Sequence, residues 1–162
     1  MMGQYYSNEE VVLEKHADWF VRAGVDFVWI DWSNNILAHE RPELQPIEEA
    51  TRKLFEVYAG MDKSPQISIF LGIDSDPAHL ANGNLQRKAD QIYQQYFVDP
   101  EFGRLMARHE GKPLLVVYAG YPSPWQDGLP PWDDDRFTVR WMTAFVEDQA
   151  ALRGEKNDAR HG

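Results

Sequence analysis

Side chains that could do chemistry follow an apolar run that begins at Val25. The run is rich in β-branched and aromatic residues and gives way to Asp31, Trp32, Asn34 and Asn35. Such a run predicts a strand over residues 25–30 that is buried on both faces of a parallel sheet. Because ligands bind at the carboxyl ends of strands in α/β folds, we expect the polar residues after this strand to form a site.

A second carboxylate, Asp74, follows the next predicted strand. Neighbouring strands lie about 4.8 Å apart, so we expect Asp31 and Asp74 to share one rim and to flank one substrate. The alternative is that each carboxylate only accepts hydrogen bonds from the turn that follows it. Asn34 and Asn35 have the same two interpretations, ligand binding or turn formation.

The elements that position these residues alternate between helix and strand. A capping box from Ser7 to Glu10 predicts the start of the first helix, and Gly24 predicts its end. Phe137–Met142 alternates in polarity and predicts a fourth strand, although a helix fits its continuation equally well. The remaining predicted elements are helices over about 8–23, 46–59 and 85–98, a short helix near Phe102, and strands over 66–73 and 113–118.

This order predicts repeated βαβ crossovers and an α/β fold with parallel strands. Two architectures fit the order: a doubly wound open sheet, or part of a (β/α)8 barrel. A complete barrel needs about 250 residues, so three or four strands form only a partial one. We expect the polar tail 153–162 to be disordered.

Composition excludes several classes of function. The 162 residues carry a net charge of -10, which disfavours binding to nucleic acid or to an anionic membrane. Zero cysteines exclude disulfides and thiolate chemistry. No metal is expected, because Asp74, Asp76 and His79 are too few ligands, and no phosphate-binding or dinucleotide-binding glycine motif occurs, so no cofactor is expected. The compartment is not determined.

Four segments of the sequence form one recognisable pattern. They are Y-Y-S at 5–7, A-G-V-D-F-V-W-I-D-W at 23–32, K-P-L-L-V-V-Y-A-G at 112–120 and F-T-V-R-W-M-T-A-F at 137–145. These segments resemble bacterial proteins of the glycoside hydrolase family 71 and 99-like superfamily. The resemblance covers about residues 4–149 and implies a (β/α)8 barrel that hydrolyses glycosides. It also implies that residues 1–152 are the central portion of that barrel, about strands three to six, with the missing strands coming from the parent chain.

Hydrolysis of a glycosidic bond uses two carboxylates, for which Asp31 and Asp74 are the candidates. The superfamily's endo-mannosidase branch uses an E-x-x-E pair, and the only such motif here is Glu40 to Glu43. That motif lies on a proline-flanked loop, and we do not expect it to correspond to the catalytic pair. Either the catalytic pair lies outside this chain or the protein uses other carboxylates.

Further candidates would contact the sugar. Arg140 lies in an apolar strand and either holds a catalytic carboxylate ionised or forms a structural ion pair. Glu147 is a site candidate if its segment is a strand, and a solvent-exposed charge if it is a helix. Several aromatic residues either stack on a sugar ring or pack inside the protein. They are Trp32, Tyr118, Tyr121, Trp125 and Trp132.

Two alternatives to hydrolysis remain at this stage. One is a carbohydrate-binding barrel without catalysis, which would use the same aromatic side chains. The other is a truncated fragment that is inactive on its own because half of its site is absent.

Overall fold

The computed structural model describes residues 6–120 and 132–142, in which five strands form a mostly parallel sheet beside a layer of helices. Strands β1, β2, β4 and β5 are parallel and adjacent in that order, while the short β3 pairs antiparallel with β4. The strands are β1 (Phe27–Trp32), β2 (Gln66–Gly72), β3 (Arg108–His109), β4 (Lys112–Tyr118) and β5 (Thr138–Met142), and the helices are α1 (Glu10–Arg22), α2 (Gln45–Ala59), α3 (Ala78–Ala81), α4 (Asn84–Ile92) and α5 (Pro100–Gly103).

Helix α1 ends as its sequence predicts but begins differently. Gly24 has a φ of 74°. Its N–H and that of Val25 donate to the carbonyls of Val21 and Phe20, which is the Schellman arrangement. The predicted capping box is wrong: the N-cap residue is Glu9, and no side chain caps the helix.

The second and third predicted helices are confirmed, with changes at their ends. Pro46 lies in the first turn of α2, where a missing N–H costs nothing. Gly83, with a φ of 77°, takes the N-cap position predicted for Asn84. Beyond Ile92 the chain continues as a π-helical turn, Tyr93–Phe97, which places the Tyr96 ring 4.4 Å from that of Phe55.

The core lies between the helices and one face of the sheet. Trp32, Ile69 and Val117, from three neighbouring strands, are fully buried on this face. Helices α1, α2 and α4 contribute Ala17, Phe55, Tyr58, Leu85, Ala89 and Ile92 to the same cluster.

The opposite side of the sheet, which carries Phe27, Trp29, Asp31, Phe70 and Tyr118, is called the open face here. The prediction that β1 is buried on both faces is wrong, since Phe27 and Trp29 are 39% and 49% exposed. Phe27 to Ile30 are all apolar, yet the described chain provides helices for only one side of β1. The open face is least covered at β1.

The α/β class with a largely parallel sheet is confirmed, and so is the fourth strand. The sequence did not reveal β3, whose two residues turn back onto the start of β4. Tyr121, Trp125, Glu147 and the tail 153–162 lie outside the described residues.

Candidate functional site at the carboxyl edge of the sheet

Asp31 lies at the carboxyl end of β1 and projects from the open face. The strand extends two residues beyond its predicted end, so Asp31 and Trp32 belong to the strand rather than to the loop. The carboxylate is exposed, and its Oδ1 accepts a hydrogen bond from the Ser33 backbone N–H at 2.8 Å. That bond fits the turn interpretation and leaves the carboxylate accessible to a ligand.

Asp74 begins the loop after β2 and has an uncommon backbone. Its φ is 50° and that of Ser75 is 56°, so two consecutive residues with side chains adopt the left-handed region. Such conformations cost about 1–3 kcal/mol each and cluster at functional loops. Gly120, after β4, lies against this turn: a Cβ there would come 1.9 Å from Ser75 Oγ.

The loops after β1 and β2 also meet closely. A Cβ on Gly72 would lie 2.0 Å from the Ser33 carbonyl oxygen, so the backbone after Asp31 passes directly over the end of β2. The loops that follow β1, β2 and β4 therefore pack together at one edge of the sheet.

The register separates the two predicted catalytic carboxylates more than their strand positions suggested. Asp31 aligns with Phe70, and Asp74 follows Phe70 by four residues. β2 ends at Gly72, so Asp74 lies two residues beyond the strand, in the turn that follows it and on the neighbouring strand's side of Asp31. The two residues share the carboxyl edge, but they are not opposite each other, and this corrects the argument from strand spacing alone.

Trp32 is not available to stack on a sugar. Its side chain is fully buried on the helix side, where the indole N–H donates to Thr51 Oγ1 at 2.8 Å. The Tyr96 ring contacts it edge-on. Strand alternation explains the correction, because it turns Asp31 and Trp32 to opposite faces.

Asn34 and Asn35 also differ from each other. Asn34 is exposed in the turn beside Asp31, where it remains a candidate for ligand contact. Asn35 is buried, and its Nδ2 donates to the Leu44 carbonyl at 3.1 Å. Asn35 therefore holds the loop after β1 in place and is not accessible to a ligand.

A buried ion pair supports this loop from below. Lys88 of α4 is 3% exposed, and its Nζ lies 2.7 Å from Glu48 Oε1 of α2. Gln91 accepts from Lys88 and donates to the second oxygen of Glu48, at 2.8 Å and 2.6 Å. The ammonium also lies 5.5 Å from the centre of the Trp32 ring. Sequence reasoning missed this cluster, because nothing in the spacing of Glu48 and Lys88 links the two helices.

The open face carries an aromatic row across three strands. The Trp29 and Phe70 rings stack with centroids 5.9 Å apart, and Phe70 lies 5.6 Å from Tyr118. Tyr118 is partly exposed at the end of β4, as its sequence position suggested. Trp29 was not predicted as a site residue, although its alternation with Asp31 was a signal for it.

Arg140 and Trp132 have structural contacts. Arg140 aligns with Val116, and its guanidinium lies 3.8 Å from Glu110 near the start of β4. It lies three strand spacings from Asp31, about 14 Å, too far for direct contact. Trp132 donates to Gln86 Oε1 at 3.1 Å, which fixes the indole to α4. The ion-pair interpretation of Arg140 therefore fits better than a bond to the candidate carboxylates.

The described residues contain no cluster of three or more His, Asp or Glu side chains suited to a metal ion. His79 is buried, and its Nδ1 lies 3.0 Å from Asn84 Nδ2. Among the described helices, none is both long and apolar enough to cross a membrane.

Comparisons of the chain with protein-family models, with curated proteins and with solved structures found no match.

Proposed function

We propose that this chain is part of a glycosidase-like (β/α)8 barrel that hydrolyses glycosidic bonds of a carbohydrate. The observation that carries the proposal is the arrangement of the sheet: four parallel strands in chain order, helices packed on one face, and an exposed carboxylate at the carboxyl end of the open face. The open face then becomes the interior of the barrel, and Asp31 lies on its active rim.

Strand order supports a barrel over a doubly wound sheet. A doubly wound sheet reverses its strand order at a switch point and has helices on both faces. In a barrel each new strand adds to the same side of the previous one, and all helices lie outside. The order β1, β2, β4, β5 has no reversal.

The position of Asp31 suits one of the two roles in glycoside hydrolysis, proton donation or activation of water. Retaining enzymes place their carboxyl groups about 5–5.5 Å apart, and inverting enzymes use a wider gap that admits water. We propose Asp31 as one carboxylate of the pair and Asp74, from the neighbouring loop, as the second, with Asn34 and Tyr118 as contacts to the sugar.

A carbohydrate-binding protein without catalysis is the second candidate. It is favoured by the row of Trp29, Phe70 and Tyr118, because aromatic faces offer flat apolar surfaces to sugar rings. This candidate predicts saccharide binding with no bond cleavage.

The test is to incubate the purified chain with a panel of chromogenic glycosides and neutral oligosaccharides and to measure released sugar. Asp31→Asn should lower the rate by about 10²-fold or more, since it removes an acid–base group. Asp26→Asn, at the amino end of the same strand, is the matched control and should keep the rate. Cleavage that survives Asp31→Asn would refute the role of Asp31, and binding without cleavage would favour the second candidate.

A further inference from the structure

The edge formed by α1 and β1 lacks a neighbour within the described residues. β1 pairs only with β2 there, and β5 at the other end of the parallel series pairs only with β4. Six large apolar side chains are exposed in and between α1 and β1, a concentration that marks an interaction surface. They are Val11, Trp19, Phe20, Val25, Phe27 and Trp29.

The backbone of β1 is ready to accept another parallel strand. The Gln66 N–H donates to the Asp26 carbonyl, so the even-numbered residues of β1 bond to β2. Phe27, Trp29 and Asp31 therefore direct their N–H and C=O groups away from β2. A parallel strand added at this edge would continue the pattern of the junctions between the other long strands.

We propose that the edges of β1 and β5 pair with those of a second copy of this chain, closing an eight-stranded barrel around a two-fold axis. This inference rests on the barrel architecture proposed above. Two sets of four parallel strands supply the eight strands that close a (β/α)8 barrel. Side chains can fill the interior of a barrel of this size completely. Each junction places β5 of one copy beside β1 of the other, and the two open faces meet inside.

Charge favours a second copy at these edges. Asp31 is the acidic residue that β1 presents on the open face, and Arg140, which is exposed although it also lies 3.8 Å from Glu110, is the basic residue that β5 presents there. A two-fold arrangement therefore brings an acidic edge strand beside a basic one at both junctions. Complementary charges of this kind favour the correct pairing over edge-to-edge contacts of like strands.

The experiment is the measurement of mass by light scattering after size exclusion, over a range of protein concentrations. We expect a species of twice the 18.8 kDa chain mass. Trp29→Lys puts a charge on the β1 edge and should give monomers, because charged edge strands resist pairing. Val98→Lys changes a 54% exposed residue in the helical layer and should leave the dimer intact.

A second variant covers the case in which Trp29→Lys does not fold. Arg140→Glu alters a 45% exposed side chain on the β5 edge and should weaken the dimer at least about tenfold. A monomer, an aggregate without a discrete dimer, or a dimer unchanged by the edge variants would overturn the proposal. An aggregate would point to further strands of a longer chain as the partner.

The mass measurement needs no sugar, so its outcome is separate from that of the proposed function. A dimer that neither binds nor cleaves saccharides would retain this inference and refute the function. A monomer that cleaves saccharides would refute the dimer and retain the proposed function.

Discussion

At the scale of single residues, Asp31 and Trp32 are chain neighbours with opposite environments. Asp31 is exposed on the open face, and Trp32 is fully buried among helices. Successive side chains of a strand point to opposite faces, so a motif read as one polar cluster divides into a site residue and a core residue. The same division separates Asn34, which is exposed, from Asn35, which is buried.

Among the charged side chains of the described residues, Lys88 is the one whose replacement should lower the unfolding free energy most. Lys88→Met leaves Glu48 without its cation in a largely buried position, and we expect a loss of about 3 kcal/mol in unfolding free energy. Urea denaturation measures it. Lys53→Met is the control, because the Lys53–Glu10 pair is exposed and should contribute at most about 1 kcal/mol. Equal losses in the two variants would contradict a stabilising role for the buried pair.

Asp134 should make stability depend on pH. The hydrogen bond from the Arg136 side chain holds the pKa of this carboxyl below its ordinary value of 3.8. A depressed folded-state pKa means that the stabilisation is complete above the unfolded-state pKa and is lost as the pH falls through the folded-state value. Asp134→Asn should therefore lower Tm at pH 7, and the difference from wild type should shrink below about pH 4.

Thermal melts at pH 7, 5 and 3 test this pH dependence. Asp135→Asn, which changes an exposed neighbouring carboxyl, should leave Tm nearly unchanged at all three values. A difference between Asp134→Asn and wild type that is as large at pH 3 as at pH 7 would show that the ion pair is not its cause.

At the scale of elements, contacts between backbones fix the loops of the candidate site. Ser33 passes over Gly72, and Ser75 passes against Gly120, so two glycines occur where side chains would collide with the neighbouring loop. The helices contribute from the other side, through the Glu48–Lys88 pair and the bond from Asn35 to Leu44. The loop that follows Asp31 is thus held both by the strand beside it and by the helices beneath it.

Gly72→Ala should destabilise the protein by about 1–3 kcal/mol, because the new methyl group must displace the Ser33 carbonyl. Gly60→Ala is the control: its Cβ would lie 3.5 Å from the nearest atom, so the change should be neutral or slightly stabilising. Urea denaturation of both variants gives the comparison. If the two variants have nearly equal unfolding free energies, the loop after β1 moves aside with little loss of stability. Asp31 would then not be rigidly positioned.

At the scale of the whole molecule, the distribution of exposed apolar side chains is uneven. Most of the large ones occur in α1 and β1, beside an edge strand, whereas the central strands β2 and β4 contain fully buried residues such as Ile69 and Val117. A sheet with helices on one face leaves its other face to be covered by something else. The barrel proposal and the inferred dimer both assign that face a partner, and the mass measurement distinguishes a second copy from strands of a longer chain.

The sequence by itself determined the α/β class, the parallel strands and most element positions. Hydrophobic periodicity and the residues that begin or end helices carry that information locally. Pro46 lies in the first turn of α2 and Gly60 follows its end, Gly24 follows the end of α1, and the apolar run at 66–73 forms β2. It also directed attention to Asp31 at a strand's carboxyl end. These features depend on neighbours in the chain, so they can be read without knowing the fold.

Only the tertiary structure decided which polar residues meet. The register gives Asp31 and Asp74 their four-residue stagger, places Arg140 beside Glu110, and brings Glu48 to Lys88 across two helices. The tertiary structure also leaves one face of β1 exposed, although the apolar run of this strand predicted that both faces are buried. These outcomes depend on how distant segments align and on how many layers cover the sheet, and neither is encoded in the spacing of residues along one segment.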